Sequence, residues 1–164
     1  MELKLDNRKT YAVALEGGGA KGAYQIGAWQ AMDEAGIKYN AVSGTSVGAL
    51  NGTLMTMRDI EEAKKIWLNI CFSKVIDVDD DFMRKLFSGK LSELDIKTAA
   101  GSAKKIIANK GFDIAPLYKM LGEVADETKI RASDVDFYII TFSLTDRREL
   151  ELRAKDLPAG EIKD

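Results

Sequence analysis

The sequence predicts an α/β protein built on a mainly parallel sheet, and three observations carry that prediction. The run Tyr11-Ala12-Val13-Ala14-Leu15 is continuously apolar, as a strand covered on both faces is. It passes through the glycine turn Gly17-Gly18-Gly19-Ala20-Lys21-Gly22 into a stretch with helical spacing. A second short run, Tyr39–Val42, passes through Gly44-Thr45-Ser46-Val47-Gly48 into another such stretch. Strand, sharp glycine turn and helix N-terminus therefore occur twice, and each occurrence presents backbone N–H groups and a helix dipole above the turn. The second also lifts a serine, Ser46, into that space.

Taken in order, residues 1–10 are polar and read as a lead-in to the first strand, Tyr11–Leu15. Ala23 to Ala35 follows as a helix, with Ile26, Trp29 and Met32 at helical spacing and Gly36 as its stop. With Tyr39–Val42 as the second strand, the three elements make a βαβ unit with a right-handed crossover. The second helix, Val47 to Met57, is dense in the small residues Gly48, Ala49, Gly52 and Thr53, which permit close packing on a sheet. Asp59 reads as an N-cap, with Glu61 and Glu62 in the first turn where the dipole favours them. The buried face of that third helix is marked by Ile60, Ala63, Trp67, Ile70 and Cys71.

Between Ser73 and Lys110 the pattern loosens. Asp79-Asp80-Asp81 has the composition of a cation site but lacks further ligands at EF-hand positions, and a solvated helix start is the plainer reading. Phe82, Met83, Leu86, Phe87, Leu91 and Leu94 form an apolar group beside Arg84, Lys85 and Lys90. It reads either as a lid or lipid-facing surface or as ordinary packing. Ile96, Ala99, Ala100, Ala103, Ile106 and Ile107 predict an amphipathic helix ended by Gly111, and Pro116 suits the first turn of the next. Phe137–Leu144 is the strongest strand in the chain, and after a turn at 145–148 the alternating Glu149–Arg153 reads as its hairpin partner at the sheet edge.

Composition narrows the chemistry. With 164 residues, 46% hydrophobic and 30% charged, the chain is about one domain able to bury a core. A net charge of −2 without a basic run argues against a nucleic-acid partner. The single cysteine, Cys71, excludes an internal disulfide and offers no metal-ligand spacing. The first residues lack the apolar run of a signal peptide and no stretch approaches a membrane span, which predicts a cytoplasmic protein. There is no histidine, which forbids a Ser-His-Asp triad within these residues.

A serine hydroxyl attacks well only when a base takes its proton and donors stabilise the oxyanion. Gly44-Thr45-Ser46-Val47-Gly48 meets the geometric half of that demand, because its glycines permit a tight strand-to-helix bend. In a parallel sheet both glycine turns lie at the carboxyl edge, where ligands bind. The N–H groups of Gly17, Gly18 and Gly19 can there face an oxygen above Ser46. Lys21 reads equally as a contact to the loop or an anionic head group and as a solvated helix-start lysine. The spacing Gly17-x-Gly19-x-x-Gly22 also matches a dinucleotide fingerprint, but the second strand ends in Val42-Ser43-Gly44 without the expected acidic residue. A nucleotide-binding or non-catalytic βαβ module therefore stands as the alternative.

The order Gly-Gly-Gly-x-Lys-Gly, helix, Gly-Thr-Ser-x-Gly-Ala resembles the patatin-like phospholipases, most specifically across residues 13–52. The likeness continues more loosely through Gly111–Leu117 and Phe137–Leu144. It implies a three-layer α/β/α fold and a Ser-Asp dyad that hydrolyses lipid or other acyl esters without a cofactor. Ser46 matches the family's nucleophile, Gly44 and Gly48 its flanking glycines, and Gly17, Gly18, Gly19 and Gly22 its oxyanion loop. The family's base lies in an Asp-Gly-Gly or Asp-Gly-Ala turn, and no Asp-Gly pair occurs here. The expectation is a single domain over 1–164 that is incomplete at its C-terminus, inactive for want of the aspartate, and prone to self-association through an exposed sheet edge. Its expected partners are a lipid or acyl-ester substrate and, at its surface, a membrane.

Overall fold

The computed structural model describes residue 6, residues 9–88, 100, 101 and 104, and residues 113–162. The chain divides into two compact units, one formed by residues 1–68 and 124–164 and the other by residues 69–123.

The first unit is a four-stranded mixed sheet in the order β1-β2-β3-β4. The strands are β1 (Tyr11–Leu15), β2 (Tyr39–Gly44), β3 (Asp136–Ser143) and β4 (Arg148–Arg153). β1, β2 and β3 run parallel, with Val13 opposite Val42 and Val42 opposite Phe137. β4 returns antiparallel to β3, pairing Ile139 with Leu152. The predicted α/β class and mainly parallel sheet are thus what the chain forms, and each strand lies within two residues of its expected bounds. β1 and β4 are the two edges.

The helices are α1 (Gly22–Glu34) and α2 (Val47–Met57), followed by α3 (Ile60–Asn69). α1 ends as Gly36 predicts. Gly36 sits at φ 69, its N–H bonds the Asp33 carbonyl at 3.0 Å, and the Ile37 N–H bonds that of Met32 at 2.9 Å. α2 ends in the same bonding pattern, but with Arg58 at φ 56 in the place glycine usually takes. Asp59 caps α3, accepting from the Glu62 N–H at 3.1 Å.

One core holds these elements together. Ile26 and Trp29 of α1, Leu54 and Met55 of α2, Ala63 of α3, and Val42 and Phe137 of the sheet share it, with Val13, Leu15 and Ile139 packed against them. The sheet residues named alternate along their strands, so they lie on one face, and α1 and α2 both cover that face. A strand order that advances 1-2-3 through crossovers of one hand places their helices on the same side. α2 lies close because Gly52 sits over Phe137, where a Cβ would come 2.6 Å from the ring. A short helix, absent from the sequence expectations, precedes β3 and is labelled α6 (Glu127–Ala132) below. Asp126 caps it through the Thr128 and Lys129 N–H groups, and Ile130 buries its one core side chain.

In the second unit, α4 (Asp80–Phe87) and α5 (Ala115–Val124) precede α6 in the chain. Asp79 caps α4, accepting from the Phe82 N–H at 2.9 Å, while Asp80 accepts from the Ser73 N–H and Oγ at 2.9 and 2.7 Å. Asp79 and Asp80 thus serve the helix start and the turn before it. Phe82 and Met83 are buried with Val78, whereas Phe87 is exposed and stacks on Phe72. Of the rest of that apolar group, the Leu86 side chain, Leu91 and Leu94 lie outside the described residues. So does most of the predicted helix at 96–107 with its stop at Gly111.

Candidate active site

At Ser46 the backbone leaves β2 and turns into α2 with φ 54 and ψ −125. A non-glycine residue at positive φ away from the left-handed helical well carries about 1–3 kcal/mol of local strain, which the surrounding packing must hold. Gly44 and Gly48 supply that packing. A Cβ on Gly44 would run into the Gly48 carbonyl, and one on Gly48 would run into the Leu15 carbonyl and come 2.8 Å from that of Glu16. The bend is thus closed on one side by its own helix and on the other by the end of β1. Ser46 itself is exposed at the carboxyl edge of the sheet, and its Oγ meets no hydrogen-bonding base among the described residues.

The first glycine turn is brought against the second. Thr45 N–H bonds the Leu15 carbonyl at 3.2 Å, and a Cβ on Gly17 would stand 3.3 Å from Ser46 Cβ. Gly18 and Gly19 then take φ 148 and 56, and a 310 turn over Gly19–Lys21 leads into α1. Among the described residues the N–H groups of Gly17, Gly18 and Gly19 bond no acceptor, so three amide donors stand unspent beside Ser46. Nothing lies within 4 Å of a Cβ on Gly19, which leaves that side of the loop open to a ligand.

Gly22 has a different part from its neighbours. Its N–H is used inside the turn, on the Gly19 and Ala20 carbonyls. What it provides is space, since a Cβ there would come 2.5 Å from the Trp67 ring and from Val47 Cγ2. Lys21 is exposed, its stem lies over Gly18, and its ammonium makes no ion pair among the described residues. Sequence reasoning passed over Val47. Its amide directly follows Ser46 and is the orphan donor at the start of α2, a role legible from its position as the first helical residue.

An apolar cleft of about 440 Å3 begins at this loop and runs between β1 and α1. Glu16, Lys21, Tyr24 and Gln25 line its loop end, and Val13, Trp29, Met32 and Met55 line its depth. Among the described residues no cluster of histidine, cysteine or carboxylate side chains is arranged to hold a metal ion, and no helix is long and apolar enough to cross a membrane.

With this geometry in place, comparison with known proteins is specific. The family model for patatin-like phospholipases matches residues 13–164. Over 46 residues, 28% of this chain, the sequence is 46% identical to Lysophospholipase nte1 of Aspergillus terreus, and over a stretch of the same length it is 52% identical to Lysophospholipase NTE1 of Chaetomium globosum. It is also 47% identical over 45 residues to Patatin-like phospholipase domain-containing protein 6 of Homo sapiens. Each aligned stretch is 3% of the relative's own length, so the likeness covers a small part of much longer proteins. No solved structure matches the chain.

Proposed function

The chain belongs to the patatin-like phospholipase family, whose model spans residues 13–164, and we propose that it carries the nucleophile and oxyanion loop of a serine acyl hydrolase acting on phospholipid or related esters. The observation that supports this most is the pairing of a strained, exposed Ser46 at φ 54 with three unspent amide donors on the loop packed against it. Strain retained at one serine, between glycines that admit no side chain, is how a nucleophile is held clear of its own backbone.

In the proposed reaction Ser46 Oγ attacks the ester carbonyl carbon and its proton passes to a base. The carbonyl oxygen becomes an oxyanion facing the N–H groups of Gly17, Gly18 and Gly19, with the Val47 N–H on the opposite side. Collapse expels the alcohol, leaving an acyl-serine that water then hydrolyses. The family resemblance implies an aspartate in an Asp-Gly-Gly or Asp-Gly-Ala turn as that base, and no Asp-Gly pair occurs in the sequence. The apolar cleft beside the loop favours a long acyl group over a polar one, because its depth is walled by Val13, Trp29, Met32 and Met55.

The test is intact mass after treatment with a fluorophosphonate, on the chain, on its Ser46→Ala variant, and on a longer chain that includes an Asp-Gly-Gly or Asp-Gly-Ala turn. One adduct that disappears with Ser46→Ala is the expected result, fastest in the longer chain. Absence of the adduct from both lengths would reject the hydrolase reading and leave the nucleotide-binding alternative.

A further inference from the structure

The side chain of Asn51 is 1% exposed and uses all of its hydrogen-bonding groups but one lone pair. It lies on α2, five residues beyond Ser46. Its Oδ1 accepts from Trp67 Nε1 of α3 at 2.8 Å. Its Nδ2 donates to the Gly22 carbonyl at 3.0 Å and to Gln25 Oε1 at 2.8 Å. Gln25 in turn donates through Nε2 to the Glu16 carbonyl at 2.8 Å. Glu16 and Gly22 are the two residues that bracket the glycine loop.

The polarity of this chain of bonds is set at one end. An indole N–H can only donate, so the Asn51 atom facing Trp67 must be the oxygen. That turns the Asn51 amide nitrogen toward Gly22 and Gln25, so Gln25 presents its oxygen to Asn51. Its own nitrogen is thereby directed to Glu16. A glutamine and an asparagine whose orientations are interchangeable in isolation are thus fixed by a tryptophan on a third helix.

We propose that Trp67, Asn51 and Gln25 form a directional clamp in which the helix bearing Ser46 holds both ends of the 17–21 loop, making Asn51 and Gln25 positioning residues for the oxyanion donors. The clamp's role in catalysis rests on the hydrolase reading above, but its effect on the loop does not. The loop's own bonds are internal, from the Lys21 N–H to the Gly18 carbonyl at 3.2 Å and from the Gly22 N–H to the Gly19 and Ala20 carbonyls. Gly18 and Gly19 are exposed, and the donors of Gly17–Gly19 must stay free to meet the substrate. Donors of this kind act only when held within a few tenths of an ångström of the oxyanion's position, and the clamp supplies that restraint from outside the loop.

Gln25→Glu tests the direction of the clamp with almost no change of shape at a half-buried site. At neutral pH the introduced carboxylate accepts from Asn51 but has no proton for the Glu16 carbonyl. As pH falls and that carboxyl takes up a proton, its O–H can donate to Glu16 and restore the bond. Two readouts are compared with the unaltered protein at each pH. They are the amide 1H–15N resonances of Gly17 to Gly22, and the fluorophosphonate labelling rate of Ser46.

The expected result is displaced loop amides at neutral pH that return toward their unaltered positions in acid. The relative labelling rate should be about tenfold to a hundredfold lower at neutral pH and should recover in parallel. Gln25→Leu should show the neutral-pH loss with no recovery in acid. Loop amides that stay in place in both variants would overturn the clamp. Loop amides that move while the unaltered protein, in its longer form, is not labelled at Ser46 would support the clamp and reject the hydrolase reading.

Discussion

Gly17 lies directly against Ser46: a Cβ built on the glycine would stand 3.3 Å from the serine's own Cβ. Gly17 and Ser46 are 29 positions apart, yet the parallel pairing of Leu15 with Gly44 delivers both turns to one edge. The N–H groups of Gly17, Gly18 and Gly19 on that edge bond no acceptor among the described residues.

The strained backbone of Ser46 predicts that stability and reactivity part company there. Ser46→Gly removes the penalty of φ 54 and is expected to raise stability by up to about 1 kcal/mol, while abolishing fluorophosphonate labelling. Ser46→Ala abolishes labelling without that gain, since alanine meets the same strain. Urea denaturation of the two variants beside the unaltered chain measures the difference. A glycine variant less stable than the alanine variant by the full entropic cost of glycine, about 1 kcal/mol, would show that the serine backbone is not strained.

The glycines of the two turns are expected to differ sharply in their tolerance of a methyl group. Gly48→Ala drives a Cβ into the Leu15 and Glu16 carbonyls and should cost about 3 kcal/mol, since backbone cannot give way as a flexible side chain can. Gly19→Ala meets open space and pays only for its positive φ, about 1 kcal/mol. A denaturant midpoint that falls as far for Gly19→Ala as for Gly48→Ala would contradict the packing described at the bend.

Burial pushes the Tyr39 phenol up from its ordinary 10.0 to about 12, against the opposing pull of the Arg58 charge. The folded state thus holds this proton more tightly than the unfolded chain. The resulting stability is complete below about pH 10 and is lost as pH rises from there toward 12. Tyr39→Phe should cost about 1 kcal/mol at neutral pH, through loss of the 3.1 Å bond to the Met55 carbonyl. It should also lose less stability than the unaltered chain on going above pH 10. Parallel alkaline limbs in the two proteins would show that the phenol is not the group responsible.

Arg58 closes α2 in a left-handed conformation that glycine would adopt without strain. It also pairs with Asp134 at 3.1 Å and lies 5.2 Å from the centre of the Tyr39 ring. The pair is well exposed and the ring contact is worth about 0.5–1 kcal/mol, so the two together roughly balance the strain of about 1 kcal/mol. Arg58→Gly is therefore expected to be near neutral. Arg58→Ala keeps the strain, loses these contacts together with the 3.4 Å bond from Arg58 Nη2 to the Tyr39 carbonyl, and should be destabilised by about 1 kcal/mol. Chemical denaturation separates these cases, and a clearly destabilised glycine variant would mean that the contacts outweigh the backbone.

What local residue types dictate was legible before any coordinates. The apolar run Tyr11–Leu15 forms a strand with the expected bounds. Ala12 and Ala14 are exposed, however, where a strand covered on both faces was expected, because β1 lies at the sheet edge and α1 and α2 cover its other face. The small residues after Ser46 make α2 over Val47–Met57, as read, because they alone let a helix lie this close to β1 and β2. The two glycine turns were visible as residue types, but only Gly18 and Gly19 need glycine for their own positive φ, whereas Gly22, Gly44 and Gly48 need it for what packs against them. The short helix at Glu127–Ala132 was not visible. Its six residues carry a single fully buried side chain, Ile130, too little for a periodic signal.

Sequence by itself determined the parts of the site: the serine, the glycines on either side of it and the loop that precedes it. Only the tertiary structure decided how they are held. Strand order places α1 and α2 on one face of the sheet. That single choice brings Gln25 and Asn51, 26 residues apart, into hydrogen-bond range at 2.8 Å. The reason is physical. Steric limits on a turn act between neighbours and are written in residue types, whereas a hydrogen bond between two amides depends on where two helices lie, which no local pattern records.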